Sequence, residues 1–175
     1  MPSAYVRPCS LPDEPSFRGS GATQSACWSW WLYARVMIQS GRASLTVVST
    51  ETDPALVSEI LGLAPTSIKR RGSVSRSGRL LDHYVWTIDV EQSFNAEDEK
   101  SGTRALKELV AVARSGIGRF PLLPPDCSAR IWWSADSDST QGGFVIPVEL
   151  AAGIAELGVD VYATVYLDDG SNGVE

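Results

Sequence analysis

Lys69, Arg70, Arg71, Arg76 and Arg79 put five positive charges within eleven residues, with no acid among them. Guanidinium groups this close could grip a phosphate or carboxylate through paired hydrogen bonds, and Gly72 and Gly78 would let backbone amides approach the same anion. The stretch lacks the G-x-x-x-x-G-K-[ST] spacing of a phosphate-binding loop, so no nucleotide is implied. Charges on a surface loop also pair with neighbouring acids, and that solvated-loop reading stands beside the anion one. His83 follows closely and is the chain's one histidine. Any Ser-His-Asp or Cys-His mechanism would have to use it, yet nothing in the sequence ties it to a nucleophile. At the start of a strand, beside the basic stretch, it is a candidate binding residue or a simple edge decoration.

The remaining polar clusters imply little chemistry. Asp136, Asp138 and Thr140 begin like a calcium loop, but the glycine comes one position late and the closing position is Pro147 where a glutamate is needed. Asp168 and Asp169 have no histidine or cysteine beside them and read as a solubilising end. Cys9, Cys27 and Cys127 are widely spaced, odd in number and form no C-x-x-C pair, so neither a disulfide framework nor a zinc site is suggested. No metal, cofactor or catalytic residue is therefore expected, although chemistry carried by carboxylates alone stays open.

Aromatic residues offer a different kind of site. Trp132 and Trp133 are adjacent on a predicted strand and must point to opposite faces. With Ile131 and Trp133 inward, Trp132 joins Arg130, Tyr162 and Tyr166 on the face without helices. Trp, Tyr and Arg on an open sheet face have the composition of a protein-binding hot spot. The alternative is a face covered by the Pro-rich crossing Phe120 to Pro125, by the N-terminal segment or by a homodimer mate.

These residues need elements to hold them. Ala43 to Thr50 alternates as a half-buried strand. A helix follows: Asp53 can cap it, Pro54 suits its first position, Leu56, Val57, Ile60 and Leu61 form the stripe, and Gly62 can end it. Pro65 to Asp82 reads as a long loop or irregular hairpin. His83 to Glu91 alternates again, with Tyr84, Trp86, Ile88 and Val90 inward. Glu97 to Arg114 carries a helical stripe of Leu106, Leu109, Val110 and Ala113, its start blurred by Gly102. Ser128 to Ser134 is a third strand, and Phe144 to Ile146 a candidate short one. A helix begun by Pro147 and ended by Gly158 leads to the last strand, Val159 to Leu167, with Val159, Val161, Ala163 and Val165 on its covered face.

The whole chain has 175 residues, 43% of them hydrophobic, enough for one domain with a core of its own. Residues 1–42 show no sustained period and are expected to be a disordered extension or, because Met37 lies just before the periodic part, sequence upstream of the true start. Residues 43–167 are expected to be one α+β domain, and 168–175 a flexible acidic tail. The net charge is −6, and residues 43–175 alone hold 11 basic and 19 acidic side chains, a net −8. Such a balance disfavours nucleic acid and anionic membranes. The apolar run Ala26 to Ile38 is too short to span a bilayer and lacks a signal peptide's basic start, so a cytoplasmic protein is expected.

Every main strand alternates, which implies a sheet with one covered and one wet face. The expectation is a two-layer α+β sandwich, a mainly antiparallel or mixed sheet of four to five strands with helices on one face. It should have ferredoxin-like character, and two similar strand-helix-strand halves suggest an internal duplication. The run A-S-L-T-V-V-S-T-E-T-D-P-A-L-V-S-E-I-L-G-L-A-P-T, then R-R-G, Trp86, G-G-F, P-V-E-L and A-E-L-G-V-D-V-Y, resembles the bacterial family labelled domain of unknown function 4279, from about Ala43 to Leu167. The resemblance implies a small cytosolic domain and no established reaction, cofactor or catalytic residue. It also implies a small polar residue before the last helix's proline, where this chain has Ile146, which cannot cap and should cost that helix start about 1 kcal/mol. The function expected is a non-enzymatic module, immunity-like or accessory, that binds another protein through the open face and the basic loop. The alternatives are a small-anion sensor using Lys69, Arg70, Arg71 and His83, and an enzyme of unrecognised chemistry.

Overall fold

A computed structural model of the chain describes residues 38–75, 77–94, 101–139 and 143–167. The expected N-terminal extension up to residue 37, the acidic tail 168–175, Arg76 and Thr140 lie outside them.

Strand β1, Ile38–Ser49, opens the domain five residues before the expected Ala43. Helix α1 follows at Pro54–Leu61, as its local signals require. Asp53 accepts a hydrogen bond from the Ala55 amide, Pro54 begins the helix, and Gly62 ends it in the left-handed region at φ 66°. Val57 and Leu61 are buried, whereas Leu56, expected in the stripe, faces solvent. The expected loop contains a short strand, β2 at Ser67–Lys69, and then a small hairpin bridged at Val74 and Leu80. Strand β3 runs Tyr84–Phe94, burying Trp86 and Ile88 as expected.

Helix α2, Arg104–Ala113, is shorter than expected at its start, and Gly102 lies ahead of it. At φ +73°, Gly102 makes the turn into the helix, and a Cβ there would stand 2.8 Å from Ile38 Cβ. Gly102→Ala should therefore lose about 1–3 kcal/mol, read as a fall in the urea midpoint at unchanged slope. Strand β4, Ser128–Ser137, crosses the sheet. The segment 143–147 is not a strand. Its Val145 amide bonds to the Ser101 carbonyl, while Phe144 packs edge-on against Trp133. Helix α3, Val148–Leu157, begins one residue late: Pro147, expected at its first position, is instead its cap, displacing Ile146 from that role, and the proline ring offers no side-chain cap bond. Strand β5, Asp160–Leu167, closes the chain of elements.

The five strands form one sheet in the order β2-β3-β1-β4-β5, antiparallel except for the parallel pair β4 and β5. With three helices on one face, this is the expected α+β sandwich on a mixed sheet. The two strand-helix-strand stretches are built differently: β1 and β3 are antiparallel neighbours, whereas β4 and β5 are parallel. The core lies between the central strands and the helices and includes Leu45, Val47, Trp86, Ile131, Trp133, Leu61, Leu106 and Leu109. It fades toward β5, where Val161 and Val165 are half-buried and Ala163, expected to be covered, is exposed. Among the described residues no helix is long and apolar enough to cross a membrane.

Candidate binding surface

Side chains two apart on a strand share a face, and strand pairing sets which of them become neighbours. Register aligns Asp89, Ser44, Trp132 and Tyr162 across β3, β1, β4 and β5 on the helix-free side. Trp132 and Tyr162 stack, with ring centroids 4.8 Å apart and planes 29° from parallel. Both remain nearly half exposed, at 45% and 44%. One row along, the Arg130 guanidinium lies 5.4 Å from the Tyr162 ring centre and 6.0 Å from that of Trp132, within cation–π range. Ser128 Oγ accepts a hydrogen bond from its Nη2 at 3.1 Å. Tyr166, 57% exposed, stands further along the same side, opposite Asp136. Arg130, Trp132, Tyr162 and Tyr166, nominated from alternation, are thus brought together. No described element covers the two stacked rings.

Beside the stack the twisted sheet forms a cleft of about 690 Å³, walled by Trp132 and Tyr166, floored by Ser44, Ser134 and Thr164, and edged by Arg42, Asp89 and Glu91. The charged edge was not legible in the sequence. Its residues belong to β1 and β3, and only strand order shows that they adjoin the aromatic pair.

The basic stretch lies elsewhere. β2 is the opposite edge from β5, four strand spacings or roughly 19 Å away across the sheet. Lys69 sits on β2, Arg70 reaches Asp53 at 3.8 Å, and the Arg71 Nη1 donates to the Thr50 carbonyl at 3.0 Å. Arg79 is exposed on the hairpin arm. His83 Nδ1 is hydrogen-bonded to the Asp82 carboxylate, which that bond holds below the ordinary carboxylate value. These residues do not converge with the aromatic face into one surface, because the sheet separates them.

A polar site that the sequence reading missed pins the end of β1 to the start of β4. The Asp126 carboxylate accepts hydrogen bonds from the Thr52 hydroxyl at 2.7 Å and from the Glu51 and Thr52 amides, both at 3.0 Å. These donors, the Thr52 hydroxyl foremost, lower its pKa to about 2. The pair Pro125-Asp126 signals a turn, but nothing local names a partner 74 residues away. A carboxylate with a depressed folded-state pKa contributes stability above its unfolded value near 4, and that stability is lost as pH falls through about 2. Asp126→Asn should therefore flatten the fall in thermal midpoint between pH 5 and pH 2 while changing the slope above pH 6 little. An unchanged acid limb in the variant would rule the clamp out as its source. The neighbouring Cys127 is half-buried, and desolvation raises its thiol pKa. Among the described residues no group of three His, Cys, Asp or Glu could hold a metal ion.

Fold and surface together define a class: a small two-layer α+β domain with an aromatic sheet face that no described element covers. A family profile matches residues 39–168, and the chain belongs to that family, described as Domain of unknown function (DUF4279). The match begins with β1, ahead of Ala43. No curated protein and no solved structure matches the chain.

Proposed function

We propose that this domain is a non-enzymatic binding module that docks another protein on its open sheet face. The observation that carries this reading is the Trp132–Tyr162 stack, held half exposed with Arg130 against it. A Trp and a Tyr fixed in place by a sheet present large apolar area with little side-chain entropy left to lose, and Trp, Tyr and Arg dominate binding hot spots. The adjoining cleft gives a partner side chain somewhere to seat. An accessory or immunity-like role in a bacterial cytoplasm suits a small acidic domain of this kind. The basic loop supports an anion sensor less well, since Arg70 and Arg71 already engage Asp53 and the Thr50 carbonyl.

The test is co-purification of products of flanking genes with the wild type and with a Trp132→Ala, Tyr162→Ala variant. Binding by the wild type alone supports the open face; equal binding by both rejects it. A thermal-shift screen with phosphate-bearing metabolites addresses the sensor, because ligand at about 100 times its dissociation constant stabilises a fold by about 2.7 kcal/mol.

A further inference from the structure

We propose that β5 is the seam of a homodimer, pairing antiparallel with β5 of a second copy about a two-fold axis at Thr164. The inference is independent of which partner the open face takes.

An edge strand offers a row of backbone donors and acceptors to any other strand, and soluble domains guard such edges. The two edges here are treated differently. β2 is only three residues long, carries Lys69 and gives way to the hairpin arm. β5 is eight residues long, and among the described residues it pairs on one side only, with β4. It has no proline and no lysine, and its one charge, Asp160, stands at its first position. The helix layer thins out over it, leaving Tyr162, Ala163, Thr164, Tyr166 and Leu167 exposed on both its faces.

The order of its side chains selects a second copy as the occupant. In an antiparallel pair, directly opposed residues point to the same side. Centred on Thr164, the register sets Thr164 against Thr164 of the second copy and Tyr162 against its Tyr166 on the open face. On the other face Val161 meets Leu167, and Ala163 meets Val165. Each opposed pair is thus hydroxyl with hydroxyl, aromatic with aromatic, or aliphatic with aliphatic. Charge weakens the pairing without forbidding it: chains of net −6 repel at long range and Asp160, the first residue of β5, adds to that repulsion at each end of the seam, but positions 161–167 carry no charge to set face to face. The joined sheet would have ten strands, with the two Trp132–Tyr162 stacks continuing into one aromatic surface. A seam of seven residues per chain is smaller than the roughly 800 Å² per partner of a standard interface, so a dissociation constant in the micromolar range is expected.

Sedimentation velocity on the full chain tests this. Raising its concentration to about 100 μM should move the mass from 18.9 kDa to about twice that value, more readily at high salt because screening weakens the repulsion. Thr164→Lys sets two lysines directly opposite one another at the axis, their Cα atoms about 5 Å apart, and should leave a monomer with unaltered circular dichroism. Tyr162→Lys should do the same, and adding Tyr166→Glu should restore the dimer, because only this register opposes the two positions. A wild type that stays monomeric throughout, a dimer indifferent to Thr164→Lys, or a double variant that does not recover would each overturn the proposal.

Discussion

Trp86→Ala is expected to destabilise the domain by about 3–5 kcal/mol, a large part of the 5–15 kcal/mol that holds a domain together. Trp86 is 1% exposed near the start of β3, opposite Val47 on β1 and Ile68 on β2. Its indole N–H donates to Ser58 Oγ at 2.9 Å, tying α1 to the sheet. Trp133, 2% exposed on β4, is equally buried, but among the described residues its indole nitrogen has no hydrogen-bond partner. It faces Gly41, where a Cβ would stand 3.3 Å from it. Replacement by phenylalanine separates the two sites. Trp86→Phe loses volume and a hydrogen bond, whereas Trp133→Phe loses volume but removes a buried N–H that nothing satisfies. The second substitution should be milder by about 1–3 kcal/mol, measured as the difference in unfolding free energy in urea. Equal losses would mean that the Trp86–Ser58 bond contributes nothing.

The double substitution Trp132→Ala, Tyr162→Ala should have the opposite profile, with binding lost and the fold kept. Hot-spot truncations cost about 2 kcal/mol or more each, or roughly 30-fold in affinity per residue if the two act separately. The rings lie at the surface of the sheet, so stability should fall by only about 1 kcal/mol, the worth of one aromatic stack. Arg79→Ala, at the far edge of the sheet, serves as the control and should bind as the wild type does. Titration calorimetry against the captured partner reads both, and a wild-type dissociation constant for the double variant would remove the open face from the interaction.

Particular residues show which signals were local. Helix α1 was legible because its cap, first turn and stop are decided within ten residues, by the Asp53 carboxylate, the fixed φ of Pro54 and the missing Cβ of Gly62. The start of β1 was not legible. Register shifts between Ile38 and Ser40 and between Gly41 and Ala43 break the period of two, so these buried residues look aperiodic in the sequence. Ala163 keeps perfect alternation yet is exposed, because cover depends on how far the helices reach and not on the strand itself. The Asp126 clamp joins positions far apart along the chain, which no window of sequence spans.

By itself, then, the sequence determined which side of each strand faces the helices and hence that Trp132, Tyr162, Tyr166 and Arg130 share the outer side, since alternation is a property of the extended backbone alone. Only the tertiary structure decided who stands beside whom. The order β2-β3-β1-β4-β5 stacks Trp132 on Tyr162, sends the basic stretch to the far edge and, among the described residues, leaves β5 without an outer neighbour. Strand order arises from long-range pairing whose free energy belongs to the whole core, so it leaves no mark on any single segment.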